Sequence, residues 1–206
     1  MTRAVIITGT DTGIGKTVFS AALTAALDAS YWKPVQSGLD GETDSQTVAR
    51  LTGQPVLPEA YRLRRPASPH LAAAEEGLQI DPIALPAVEG TLVVEGAGGA
   101  LVPLHGSYLY ADQMAQWQKP VIIVARTSLG TINHTLLTIE ALRARHVPLL
   151  GVAFVGHAMA DSQETICRIS GLQSLGRLPQ LAILNRENLR LAAQALDLTA
   201  IRAVLS

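Results

Sequence analysis

Apolar positions along this chain follow two rhythms. Short runs rich in β-branched residues at 4–8, 30–35, 91–95, 121–125 and 149–155 predict strands, and 174–176 predicts a further one at the sheet edge. Between them, residues 16–29, 44–51, 111–118, 132–145 and 161–169 carry apolar side chains at helical spacing, most clearly at Ile132, Leu136, Ile139 and Leu142. Residues 187–204 predict one or two closing helices. Strand and helix alternate in order, which predicts an α/β fold: a doubly wound, mostly parallel sheet with helices on both faces. The segment 53–69 holds Pro55, Pro58, Pro66 and Pro69 and predicts a loop over the surface. No repeat or linker divides the chain, so residues 1–206 are expected to form a single domain.

Composition narrows the partners. With 48% hydrophobic and 16% charged residues, the chain has ample material for a large core. A net charge of −1 offers nothing to nucleic acid or to an anionic membrane, so neither is expected as a partner. The one cysteine, Cys167, excludes an internal disulfide and a cysteine-built metal site; it reads as filling a helix face rather than as a nucleophile. Met1 leads almost directly into a strand, without a basic segment followed by an apolar one, and no unbroken apolar run reaches the ~18 residues of a spanning helix. A soluble, cytoplasmic protein is the expectation.

The chemistry collects where strands end. Thr8-Gly9-Thr10-Asp11-Thr12-Gly13-Ile14-Gly15-Lys16-Thr17 follows the first strand and opens a helix, the context of a phosphate-binding loop. Backbone N–H groups of Gly13, Ile14 and Gly15, with Val18 in the helix start, are placed to hold phosphate; Lys16 would reach the β- and γ-phosphates and the Thr17 hydroxyl would ligate Mg²⁺. The loop is a variant, because the first position of G-x-x-x-x-G-K-[ST] is Thr10 and the glycine lies one residue earlier, at Gly9. Glu95 ends its strand beside Gly96, Ala97, Gly98 and Gly99, and with Thr17 and Asp44 forms the natural oxygen set for Mg²⁺. Thr43-Asp44-Ser45 also reads as a plain helix cap. Lys33 has two readings as well: a snorkelling surface lysine beside Tyr31 and Trp32, or a cation at the phosphate edge for a transferring phosphoryl group. Lys16 and Lys33 are the sole lysines among the first 118 residues, and both fall in these loops, which favours the second. Gly130, Thr131, Ile132 and Asn133 form a helix start suited to a carboxylate. Ser68 or His70 caps or packs a helix, His134 reads as packed, and His105, His146 and His157 share no metal-ligand spacing. Four loops from one sheet edge thus converge on one crevice, the usual ligand position in open α/β sheets.

These segments resemble, in order, the dethiobiotin synthetase family of P-loop NTPases: the loop at 9–17, Tyr31-Trp32-Lys33-Pro34-Val35-Gln36-Ser37-Gly38, Ser68-Pro69-His70, Val94-Glu95-Gly96-Ala97-Gly98-Gly99 and Leu129-Gly130-Thr131-Ile132-Asn133-His134. The likeness is dense from residue 4 to about 156 and then thins. It implies a Mg²⁺-dependent cyclo-ligase that makes dethiobiotin from 7,8-diaminononanoate, CO₂ and a nucleoside triphosphate through a carbamate and a carbamic-phosphoric anhydride. By the same resemblance Lys16 and Lys33 are catalytic, Thr12 and Ser37 meet the substrate, and residues 130–133 of a second subunit hold its carboxylate tail, so a homodimer is implied. Pro179, Gln180 and Leu181 resemble a nucleobase loop. The chain departs from the family at Gly13, often Glu there, and at Val155-Gly156, where the family commonly has the Asn-Asp whose amide reads adenine. The strongest rival is a regulatory ATPase of the partition type, but the position of that class's signature lysine is Asp11 here.

Overall fold

Among the described residues, nineteen elements follow in chain order: β1 (Arg3–Gly9), α1 (Lys16–Ala26), β2 (Ser30–Trp32), β3 (Val35–Ser37), α2 (Asp44–Thr52), β4 (Val56–Leu57), β5 (Tyr61–Leu63), α3 (Pro69–Glu75), β6 (Thr91–Glu95), β7 (Pro103–His105), β8 (Tyr108–Leu109), α4 (Tyr110–Trp117), β9 (Val121–Arg126), α5 (Thr131–Arg143), β10 (Leu149–Val155), α6 (Ala160–Ser170), β11 (Ser174–Leu178), α7 (Arg186–Ala193) and α8 (Leu198–Ala203). They are seen in a computed structural model that describes residues 2–205. Seven strands form one parallel sheet in the order β11-β10-β9-β1-β6-β2-β4.

Alternation along the strands splits the apolar side chains between two cores. Ala4 and Ile6, Leu92 and Val94, and Ile123 and Ala125 face α3, α4, α5 and α6. Val5, Ile7, Val93, Ile122 and Val124 face α1, α2, α7 and α8. Residues buried on both faces of a parallel sheet read as continuous apolar runs, which is why these strands were so legible. Strand β1 sits between β6 and β9. The chain leaves it toward β2 and β4 on one side and later fills β9, β10 and β11 on the other, so connections diverge beside β1 and open a crevice at the strands' carboxyl ends.

Several expected boundaries move. The strand expected at 30–35 stops at Trp32, because Pro34 has no N–H for the ladder; its carbonyl instead accepts from the N–H groups of Ala60 and Tyr61. Residues 35–37 then pair with β5 in a separate two-stranded sheet. The segment 53–69 is therefore more than loop: it holds β4 and β5, and Pro55 and Pro58 flank a two-residue strand on the sheet edge, where proline is tolerated. Helix α1 ends at Ala26 rather than 29, ahead of Asp28 at φ 48°. The closing stretch is two helices, the second capped by the Asp197 side chain accepting from the N–H of Ala200. The hairpin β7-β8, turning at Gly106-Ser107, was not anticipated from strands of three and two residues. β11 lies at the edge of the sheet, as expected. Cys167 is half-buried against the α5–α6 side of the core, and burial pushes its thiol pKa up. His134, expected to be packed, is exposed.

Ile6 is fully buried in the central strand. Ile6→Ala is expected to lower the unfolding free energy by about 2–5 kcal/mol in urea denaturation. Ile183→Ala, at a residue that is 64% exposed, should stay within about 0.5 kcal/mol.

Candidate active site

The phosphate loop turns between β1 and α1 on a backbone that only glycine accommodates at Gly15, the residue capping α1 at φ 97°. A Cβ there would also stand 2.8 Å from Cγ1 of Val155. Close approach matters at Gly9 too, where a Cβ would meet Cδ1 of Ile14 at 2.7 Å and Cδ of Lys16 at 2.9 Å. The Ile14 side chain is buried in the core beneath α1. Lys16 Nζ donates to the carbonyl of Asp11 at 2.7 Å. Burial and then the neighbouring Lys33 lower its pKa to about 8.

Across the crevice lies a closed polar knot. Lys33 Nζ is 2.7 Å from Asp44 Oδ2 and 3.0 Å from Glu95 Oε1, and donates to the Gly96 carbonyl at 3.3 Å. Thr17 Oγ1 lies 2.8 Å from Asp44 Oδ1 and 3.0 Å from Glu95 Oε1. Tyr31 donates its hydroxyl to Glu95 Oε2 at 2.9 Å. Lys33 and Glu95 are both buried, so the lysine is no snorkelling surface residue. Burial alone would lower the Lys33 pKa, but the flanking Glu95 and Asp44 carboxylates outweigh it and hold the ammonium above its ordinary value. For Asp44, burial acts upward, but Lys33, Thr17 and Lys16 together outweigh it and hold the carboxyl below its ordinary value.

Local sequence accounts for each placement. Thr43 forms the capping box of α2 with Gln46, which frees the Asp44 carboxylate for the crevice. The cap reading of Thr43-Asp44-Ser45 is realised by Thr43, while Asp44 pairs with Lys33 and Thr17 in the cleft. Gln36 steadies the same corner: its Oε1 accepts from the N–H of Asp44 at 3.3 Å. Alternation puts Tyr31 and Lys33 on one side of the strand and Trp32 on the other, packed against Trp117.

A cleft of about 710 Å³ joins these parts. Thr12, Gly13, Gly15, Lys16, Thr17 and Val18 line one side; Lys33, Ser37, Asp44, Glu95, Ala97 and Gly98 line the other, with Pro66, Ala67, Ser68, Pro69 and Val102 closing the far end. Gly96 lies beneath, its N–H donating to the Ile7 carbonyl. Ser37 Oγ is shielded and has no protein partner. The fourth expected loop is a correction: Gly130, Thr131, Ile132 and Asn133 do form a helix start, with Gly130 as an αL cap, but they do not line this cleft. Pro179, Gln180 and Leu181 also lie outside its lining, next to the β10 end where Gly156 donates to the Leu178 carbonyl and accepts from Arg177. His70 is exposed and outside the lining as well. Tyr31 and Gln36 escaped the sequence reading as site residues. The period-2 alternation about Trp32 was the signal that could have found Tyr31.

Among the described residues no group of three His, Cys, Asp or Glu side chains could hold a metal ion. The set here is two carboxylates and a hydroxyl, all hard oxygen donors. That suits Mg²⁺, which takes one or two carboxylates and completes its shell with phosphate oxygens and water. The arrangement can therefore hold a polyphosphate, its metal, and a second anion near Lys33.

A family model described as an AAA domain matches residues 3–188. The chain is 62% identical over 192 residues to the ATP-dependent dethiobiotin synthetase BioD of Sphingopyxis alaskensis, covering 93% of this chain and 95% of that protein. It is 59% identical over 197 residues to the protein of the same name from Rhodopseudomonas palustris, covering 93% and 92%. Among solved structures, a ParA family ATPase from Chlorobium tepidum superposes with a TM-score of 0.57 at 12% identity, covering all of this chain and 98% of that one. The MinD cell division protein of Aquifex aeolicus gives 0.57 at 14%, covering 97% and 96%. These two likenesses show the shared fold of P-loop NTPases and nothing finer. The sequence relatives go further: the chain belongs to the ATP-dependent dethiobiotin synthetase family.

Proposed function

We propose that this chain closes the cyclic urea of dethiobiotin from 7,8-diaminononanoate, CO₂ and ATP, with Lys16 and Lys33 as its catalytic cations. The observation that carries the reading is the buried Lys33, clamped by Asp44 and Glu95 in the same cleft as the phosphate loop. One amine adds to CO₂ and loses a proton, giving a carbamate. A carbamate oxygen then takes the γ-phosphoryl group and ADP leaves. The second amine attacks the carbonyl carbon, the ring closes and phosphate departs.

The residues supply what each step needs. Loop N–H groups and the α1 N-terminus hold the phosphates, and Lys16 moves from the Asp11 carbonyl onto them. Lys33 stays charged and faces the oxygens between which the phosphoryl group passes. The unpaired Ser37 hydroxyl and Thr12 are available to the diamine. Thr17, Asp44 and Glu95 would hold Mg²⁺, which supplies neutralising charge for the triphosphate. Among the described residues Lys16 and Lys33 are the only basic side chains lining the cleft, and both lie with the groups read as holding the triphosphate and its metal. A substrate carboxylate therefore needs a donor from elsewhere, which supports a homodimer in which residues 130–133 of one subunit close the cleft of the other. Among the described residues no helix is long and apolar enough to cross a membrane, in keeping with a cytoplasmic enzyme. The regulatory ATPase reading is not favoured, since the lysine of that class is Asp11 here.

The direct test is mass-spectrometric detection of dethiobiotin from purified protein, 7,8-diaminononanoate, bicarbonate and Mg²⁺ with ATP, CTP or GTP. Product is expected with ATP. Where Asn-Asp would read adenine the chain has Val155-Gly156, whose glycine amide and carbonyl are already paired. CTP and GTP should therefore work within about two orders of magnitude of ATP, well short of the ~10⁴-fold rejection a hydrogen-bonding pocket imposes. Folded protein that hydrolyses ATP but yields no product would overturn the function.

Lys33→Gln should cut kcat by about 10²-fold or more while nucleotide affinity, from calorimetry, moves less than about tenfold. Near-normal kcat would remove Lys33 from the chemistry.

Lys16 offers a pH test. With its pKa near 8 in the free protein, half of the molecules carry a neutral Lys16 at that pH. A bound triphosphate favours the charged form, so nucleotide binding should take up close to half a proton at pH 8 and weaken as pH rises further. Calorimetry in two buffers of different ionisation enthalpy reads the proton directly; no uptake at pH 8 to 9 would contradict the low pKa.

A further inference from the structure

Glu95 divides its two oxygens between different partners. Oε1 meets Thr17 Oγ1 and Lys33 Nζ, both at 3.0 Å, and faces the cleft. Oε2 accepts from the Tyr31 hydroxyl at 2.9 Å, and among the described residues no other donor reaches it. Tyr31 is 0% exposed and Glu95 1%, so water cannot substitute. The contact follows from register. Tyr31 lies opposite Val93 in the parallel pairing of β2 and β6, and Glu95 is two residues further on the same face. That gap is about 6.6 Å along a strand, a distance the tyrosine side chain spans and an aliphatic one does not.

We propose that Tyr31 is a positioning residue that occupies Glu95 Oε2 and so presents the carboxylate to the cleft through Oε1 alone. The proposal rests on the reading of Thr17, Asp44 and Glu95 as the Mg²⁺ group. Mg²⁺ demands near-octahedral geometry and suits a single carboxylate oxygen, whereas the larger Ca²⁺ accepts both oxygens of one carboxylate. Without the phenol, Oε2 is left buried and unpaired, and the carboxylate is free to turn both oxygens toward Lys33, Thr17 and the cation. Tyr31 thus contributes to the choice of a small divalent cation without touching substrate or metal. Its neighbour in β2 is not suited to that role, because Trp32 points into the opposite core.

The test is binding of Mn²⁺, as a spectroscopic substitute for Mg²⁺, to the full-length protein with ADP, followed by electron paramagnetic resonance with Ca²⁺ as competitor. Tyr31→Phe should weaken Mn²⁺ about tenfold, in the range expected when a partner of a metal-binding carboxylate is lost. Ca²⁺ should weaken by less, so that it competes better, and ADP affinity in EDTA should not change. A purely structural tyrosine would lower the melting temperature and leave both metal constants alone, which overturns the proposal. Glu95→Gln separates the two layers: if it too leaves Mn²⁺ binding unchanged, the metal reading itself is wrong; if it weakens Mn²⁺ and Tyr31→Phe does not, only the role of Tyr31 falls. Should Tyr31→Phe not fold, 3-fluorotyrosine can replace all four tyrosines. The ¹⁹F resonance of Tyr31, assigned with Phe variants of Tyr61, Tyr108 and Tyr110, should then shift when Mg²⁺ joins the ADP complex. A resonance that stays in place overturns the proposal.

Discussion

The structure turns on an ammonium held between two carboxylates. Lys33 sits out of water, and a buried charge without partners carries a heavy cost. Asp44 and Glu95 meet that requirement, and they do so from different parts of the chain: the start of α2 and the end of β6. The break at Pro34, the cap that fixes where α2 begins, and the pairing of β2 with β6 all have to agree for the three charges to meet. With Lys16 added, the crevice carries two ammonium and two carboxylate groups. The charges balance within the crevice, each ammonium held by internal partners.

The two lysines differ because their surroundings differ. Both are buried. Lys16 has a carbonyl as its hydrogen-bond partner and the ammonium of Lys33 as a neighbour, so its pKa falls to about 8. Lys33 has a carboxylate on either side, and its pKa rises despite the burial. Burial thus loosens the proton on one ammonium, while the flanking carboxylates hold it on the other. The same residue type takes opposite pKa shifts because of its neighbours.

Sheet topology explains why this happens at one end of the molecule. Strands β1, β6 and β2 are adjacent and parallel, so their carboxyl ends deliver the phosphate loop, Glu95 and Lys33 to a common edge. Partition and cell-division ATPases share that sheet at 12–14% identity. A shared sheet does not settle function, which lies in the groups set at that edge, here Lys33, Glu95 and Asp44.

Much of this was legible in the residue order. Five buried strands appeared as apolar runs because a parallel sheet covered on both faces leaves them no polar side. The phosphate loop was readable because backbone geometry ties its glycines, lysine and threonine to fixed spacing, and Lys33, Asp44 and Glu95 stood out as charged residues at strand or helix ends. Other features depended on three dimensions. Strands of two or three residues, such as β4 and β5, exist only because a partner offers a free edge, and no local pattern announces them. Residues 130–133 formed the expected helix start, yet they do not line the cleft. The partnership of Tyr31 with Glu95 joins positions 64 residues apart. Local sequence determines which groups are available, because periodicity and turn chemistry act over a few residues. Tertiary structure decides which of them meet, because register and burial set the distances at which charges and hydrogen bonds act.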